Sequence, residues 1–127
     1  MGADVYITTE REANFEGLNR DFVGFMIEQA SRDGSYYVYY WRDSYNLTNL
    51  AHTLSMSYWE KAFENNPIKF LERLSRASDK EIERGFEERC RRFGCNPDVK
   101  ILELLKEKRN YLGRIFEAGV ISVSHWV

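Results

Sequence analysis

Three short segments of the chain are rich in β-branched and aromatic residues, and in the first of them hydrophobic and polar residues alternate. These segments are Asp4–Thr9 (DVYITT), Tyr36–Trp41 (YYVYYW) and Val120–Val127 (VISVSHWV). Aromatic and β-branched residues in such runs are typical of β-strands. The pattern therefore predicts a strand near each end of the sequence and a further strand around residue 38.

A helical spacing of hydrophobic residues follows the first strand. Apolar residues recur every three or four positions from Phe15 to Phe25 or Met26, and the stripe continues to Gln29 and ends before the turn pair Asp33-Gly34. Thr9 and Glu12 stand at the spacing of a capping box. We therefore expect a helix here, weakened by the two glycines within it.

The second half of the chain carries clear signals for helix starts and ends. Starts are predicted at 46 or 48, at Ser57-Tyr58 with Glu60, at Asn66-Pro67, at Ser78 with Glu81, and at Asn96-Pro97-Asp98. Gly94 and Gly119 mark the ends of the last two helices. The stripes predict these inward-facing residues: Ile82, Phe86, Cys90, Phe93, Ile101, Leu104 or Leu105, Leu112, Ile115 and Phe116.

This order of elements predicts an α+β fold formed by residues 1–127 as a single domain. We expect a small two- or three-stranded sheet, made of the terminal strands and residues 36–41, covered by several short helices. Whether the terminal strands pair with each other stays open. Aromatic residues make up 15% of the chain, which allows a core of large side chains.

Composition and charge narrow the classes of function. Apolar runs are too short to cross a membrane, and the N-terminal residues lack the features of a signal peptide, so we expect a cytoplasmic protein without a membrane partner. The net charge of −2 disfavours nucleic acid as the sole partner. Cys90, Cys95 and two histidines are a poor zinc ligand set, and no cofactor or metal is expected.

The densest group of polar and aromatic residues lies between 40 and 50. Arg42 could bind a phosphate or carboxylate in bidentate fashion, and Asp43 could orient Arg42 or His52. Asn49 and His52 are three residues apart and share one face of the predicted helix. These residue types are suited to a ligand or partner site.

The same segment also has a purely structural interpretation. Asp43 and Asn46 could cap the turn and helix, Arg42 could pair internally, and Tyr45 could pack against the core. A hydrolase based on His52 lacks a recognisable nucleophile turn, and no glycine-rich phosphate loop is present. The stretch Arg89–Arg92 is the most basic spot of the chain and is suited to an acidic patch on a partner.

Parts of the sequence resemble a group of small phage and prophage proteins. The start Met1–Ile7 (MGADVYI) and the stretches Arg42–Asn46 (RDSYN), Asn49-Leu50 and Ser57-x-Trp59 carry this resemblance. It implies a mobile-element context and no mechanism, because these proteins have no assigned activity. A large aromatic residue is usual in that group where this chain has His52, which disfavours a catalytic histidine.

Two hypotheses follow. The first is a phage-type binding protein that docks on a host macromolecular complex, for instance as an inhibitor of a defence complex. The second is an enzyme or small-ligand-binding protein that uses the cluster of Arg42, Asp43, Asn46, Asn49 and His52. The candidate partner- or ligand-binding residues are Arg42, Asp43, Tyr45, Asn46, Asn49, His52, Tyr58 and Trp59.

Overall fold

A computed structural model describes residues 4–19, 26–42, 44–56 and 59–126 of the chain. Within these residues the sheet contains β1 (Asp4–Thr9), β2 (Met26–Ala30), β3 (Tyr37–Arg42) and β4 (Val120–Trp126). The strand order is β2-β3-β1-β4, and every neighbouring pair is antiparallel. The two terminal strands therefore pair directly.

Five helices are present in the described part of the chain. They are α1 (Ser44–Thr53), α2 (Trp59–Asn65), α3 (Pro67–Ser75), α4 (Asp79–Phe93) and α5 (Val99–Glu117). The predicted α+β class is confirmed, with a sheet of four strands in the described residues where two or three were expected.

The hydrophobic core lies between one face of the sheet and the helices. Val5 pairs with Trp41 and Ile7 with Tyr39, and each of these side chains is at most 1% exposed. They join buried helical residues such as Leu112 in one cluster. The alternating pattern of β1 thus directs every second residue toward the helices.

The opposite face of the sheet carries aromatic residues as well. Tyr6 and Tyr40 have ring centroids 4.9 Å apart, and the Tyr40 hydroxyl donates to the Asp4 carboxylate at 2.6 Å. The aromatic strand around residue 38 therefore packs on both sides of the sheet.

The predicted helix over residues 15–29 is wrong. Gly17 has a left-handed backbone (φ +82°) in an irregular segment, and Met26–Ala30 forms β2 beside β3. Residues 20–25 lie outside the described ranges. Phe15, which occupies the helical stripe, packs instead between the rings of two core tyrosines.

The predicted caps of the later helices are confirmed where they are described. Asn66 accepts the Lys69 amide at 3.1 Å, and Ser78 accepts the Glu81 amide at 3.1 Å. Gly94 ends α4 in a left-handed conformation, as expected for a residue without Cβ. The proposed cap Ser57 lies outside the described residues.

Three details of the helices differ from expectation. Helix α1 begins at Ser44, before the predicted start at 46 or 48. Phe93 is 70% exposed and Ile101 is 48% exposed, although both were predicted to face inward. Phe93 lies in the last turn of α4 and Ile101 in the first turn of α5, on the two sides of the 94–98 connection. These helix ends extend beyond the residues that cover the middle of each helix.

Candidate functional site

The structure describes the predicted site residues to different extents. Asp43 and Tyr58 lie outside the described residues. Arg42 is the last residue of β3, and Tyr45 and Asn46 lie in the first turn of α1, but only their backbones are described. The exposed residues Asn49 and His52 follow on the same helix.

Trp59 belongs to the core, contrary to the expectation that it contributes to a binding surface. Its side chain is 7% exposed and stacks on Phe70 with ring centroids 5.8 Å apart. Phe63 completes this aromatic cluster at 6.5 Å from Trp59. An indole packed in this way stabilises the contact between α2 and α3 instead of contacting a partner.

A groove of about 730 Å³ lies between the end of α1 and the second half of α4. We call it the α1–α4 groove. His52 is the predicted site residue that lines it. The lining residues are His52, Ser55, Met56, Gly85, Glu88, Arg89, Arg92 and Phe93.

The wall contributed by α1 ends in a tight left-handed turn. The Met56 amide donates to the Ala51 carbonyl at 2.9 Å, and the Ser55 amide donates to the His52 carbonyl at 3.0 Å. These two bonds form a Schellman motif, in which glycine usually occupies the left-handed position. Here Ser55 occupies it, with φ +59°. The turn directs the chain past the helix end and places Ser55 and Met56 in the groove.

The wall contributed by α4 carries the charged residues. Arg89 extends toward α1, where its Nη1 donates to the Asn49 carbonyl at 3.4 Å and to the Thr53 hydroxyl at 3.5 Å. Such long contacts leave most of the guanidinium available. Arg92 is exposed one turn away from Glu88, and Phe93 presents an exposed ring beside it.

Neither cysteine supplies an obvious nucleophile to this region. Both are free thiols, and Cys90 is buried while Cys95 is exposed. Burial raises the pKa of the Cys90 thiol, and the neighbouring Cys95 raises it further. Cys90 therefore stays protonated at neutral pH, as expected for a core residue.

His125 of the terminal strand packs against a helix. Its ring lies 4.6 Å from that of Phe63, centroid to centroid. This contact joins β4 to α2.

Other parts of the described chain offer less for ligand chemistry. No group of three metal-ligating side chains lies close enough together there to hold a metal ion. A second cavity, of about 450 Å³, includes Arg109, but this guanidinium already donates to Asp79 and to the Ala77 carbonyl. No helix in the described ranges has the length and apolarity needed to cross a membrane.

Comparison with family models, curated protein sequences and solved structures gave no match to this chain. The geometry of its own residues is therefore the basis for a functional proposal.

Several groove residues were not predicted from the sequence. The basic stretch that includes Arg89 and Arg92 was recognised, whereas Ser55, Met56 and Phe93 were not assigned to a site. A glycine inside a polar helix, Gly85, is a signal of close backbone packing that could have indicated the contact with α1. The non-glycine residue at the left-handed position has no comparable signature.

Proposed function

We propose that this protein binds an acidic segment of another protein through the α1–α4 groove. The observation that carries the proposal is the composition of that groove. Among the described lining residues Arg89, Arg92 and His52 are accompanied by one acidic residue, Glu88, and the exposed Phe93 also lines the groove. Arginine and large apolar side chains supply much of the binding energy in protein interfaces.

The exposed Phe93 ring supports a protein partner over a small anion. A ring that is 70% exposed at a helix end gains free energy when another apolar surface covers it. A small anion could bind the two arginines but would leave the ring in water. An acidic segment that also carries an apolar residue satisfies both features of the groove.

The resemblance to small phage and prophage proteins supports a host macromolecular complex as the partner, with inhibition of a defence complex as its specific form. The overall charge of −2 is small. Specificity then depends on contacts more than on long-range attraction.

The experiment compares wild-type protein with two charge-matched variants and with Phe93→Ala, which removes the exposed ring. Arg92→Glu changes a groove residue, and Arg91→Glu makes the same change at a neighbouring exposed residue outside the groove lining. Tagged proteins are used to capture partners from host lysate, and captured complexes are identified and titrated by calorimetry. We expect Arg92→Glu and Phe93→Ala to weaken binding at least about tenfold. Arg91→Glu should weaken it by much less.

Salt dependence provides a further measurement. Because few charged pairs contribute, affinity should fall only modestly between low and physiological salt, in contrast to phosphate-dependent binding. Equal losses for Arg91→Glu and Arg92→Glu would contradict the proposal. So would steeply salt-dependent capture of nucleic acid alone, or turnover of a small molecule that requires His52.

A further inference from the structure

The outer edge of β4 is the longer of the two outer strand edges of the sheet in the described part of the molecule. β4 lies at one end of the strand order, with β1 on its inner side and no strand on its outer side among the described residues. Its seven residues extend over about 24 Å. Edge strands offer unpaired backbone N–H and C=O groups to any chain that can align with them.

The residues of β4 lack the charges and prolines that commonly prevent such pairing, and the one irregularity in its pairing with β1 lies near its start, at Ile121. The segment 120–126 (VISVSHW) contains no Lys, Arg, Asp, Glu, Pro or Gly. Ser122 and Ser124 are exposed, and Ile121 is 51% exposed at an irregularity in the pairing with β1. Proteins commonly protect their edges with lysine, proline or an inward-pointing charge. Here β-branched and small residues leave the edge accessible.

The opposite edge of the sheet is different. β2 has the sequence MIEQA, with Glu28 at its centre. If β2 paired with β2 of a second molecule about a two-fold axis, Glu28 would lie next to Glu28 of the partner subunit. Like charges opposite each other destabilise a strand pair. The composition of β4 therefore favours pairing with a second copy more than that of β2.

We propose that β4 pairs with β4 of a second copy, in antiparallel orientation, to form a two-fold symmetric dimer with a continuous sheet. An uncharged strand is self-complementary, because a two-fold axis brings no like charges together. The register centred on Val123 pairs the regular part of the strand around the two-fold axis and leaves the irregularity at Ile121 outside this central ladder. Ser122 then lies opposite Ser124 of the partner subunit, on the face of the sheet that the helices do not cover.

This arrangement has a consequence for binding. A two-fold axis perpendicular to the sheet keeps both helical layers on the same side. The dimer would then carry two α1–α4 grooves on one side of a common sheet, which favours bivalent attachment to a repetitive partner. The dimer itself is independent of the proposed function, because the groove and the β4 edge share no residue.

The test introduces charged residues on β4. It checks whether this strand edge forms the dimer interface and whether the two strands pair in the proposed register. Ser122→Lys with Ser124→Lys places lysine opposite lysine across the axis. Ser122→Lys with Ser124→Glu places each lysine opposite a glutamate. Glu87→Lys, at an exposed position of α4 outside the groove lining, changes the net charge as much as the double-lysine variant and is the control.

Sedimentation equilibrium over roughly 1–500 µM protein gives the mass, and hydrogen exchange gives the protection of residues 120–126. We expect wild type and Glu87→Lys to approach twice the 15.1 kDa of the chain. The double-lysine variant should raise the dissociation constant at least about tenfold, and the Lys/Glu variant should restore it.

Three outcomes would overturn this proposal. The first is a wild-type protein that stays monomeric throughout the range. The second is a dimer that the double-lysine variant leaves intact, and the third is a Lys/Glu variant as weak as the double-lysine variant. Unfolding midpoints of all variants show that each remains folded, and Arg92→Glu should leave the dimer unchanged.

Discussion

The backbone of Gly85 lies directly against the carbonyl group of Thr53. A Cβ atom placed on Gly85 would be 1.8 Å from the Thr53 oxygen and 2.9 Å from its carbonyl carbon. Helix α4 therefore crosses the last turn of α1 at a distance that glycine alone permits. One turn further along α4, Arg89 donates to backbone and side-chain oxygens of α1. This contact fixes the two walls of the α1–α4 groove relative to each other.

The variant Gly85→Ala should be strongly destabilised. The clash is with backbone, so the two helices must move apart, at a cost of about 2–4 kcal/mol in the free energy of unfolding. Gly113→Ala in α5 is the matched control, because its Cβ would lie 3.8 Å from the nearest atom, the Ser75 oxygen. This helical alanine should stabilise the protein by up to about 1 kcal/mol. Urea unfolding of both variants checks the difference, and similar effects would contradict the assigned contact.

The left-handed turn at Ser55 should be improved by glycine. A non-glycine residue with φ +59° carries a steric cost between its Cβ and the backbone. Ser55→Gly is therefore expected to raise the unfolding free energy by up to about 1 kcal/mol, after allowance for the greater freedom of glycine in the unfolded chain. Ser55→Ala keeps the Cβ and should show no such gain. Thermal and urea midpoints distinguish the two variants.

Trp59 should behave as a core residue and His52 as a surface residue. Removal of the indole in Trp59→Ala opens a cavity beside Phe63 and Phe70 and should cost about 3–5 kcal/mol. Trp59→Phe should cost only about 1–2 kcal/mol, because the buried Nε1 has no hydrogen-bond partner in the described structure. His52→Ala should change stability by less than about 0.5 kcal/mol. Urea unfolding of the three variants tests whether Trp59 contributes to the core and His52 lies on the surface.

Asp79 should make stability depend on pH in the acid range. A hydrogen bond from Arg109 holds the pKa of the Asp79 carboxyl below its ordinary value of 3.8. The unfolded chain then binds the proton more readily, so the stabilisation is present above the unfolded pKa and is lost as the pH falls through the folded pKa. The carboxylate is 61% exposed, so screening limits the effect to at most about 1 kcal/mol.

The measurement for Asp79 compares urea unfolding of wild type and Asp79→Asn between about pH 2.5 and pH 7. We expect the wild type to be more stable at neutral pH and the difference to close toward the acid end. Glu64→Gln, at an exposed position, should change little over the same range. A difference between wild type and Asp79→Asn that does not vary with pH would exclude the proposed linkage.

Short sequence motifs were sufficient to predict the helices in the second half of the chain. Asn66 before Pro67, Ser78 before Glu81 and the glycine after Phe93 act on backbone groups within a few residues. Their effect can therefore be predicted without knowledge of the remaining chain. The alternation of β1 and the aromatic run of β3 likewise identified strands, because each pattern divides its residues between two faces.

The sequence by itself thus determined the α+β class, the helix caps and the buried middle of the α4 and α5 stripes, since these depend on short-range spacing. Tertiary structure alone decided that Met26–Ala30 is a strand, because the stability of this strand comes from pairing with β3. It also decided that Trp59 is buried, because Phe63 and Phe70 pack against the indole. It also created the α1–α4 groove, whose lining residues meet only because Gly85 lets the two helices touch. Contacts between residues far apart in sequence depend on how complete elements pack, and no local pattern of residues encodes that packing.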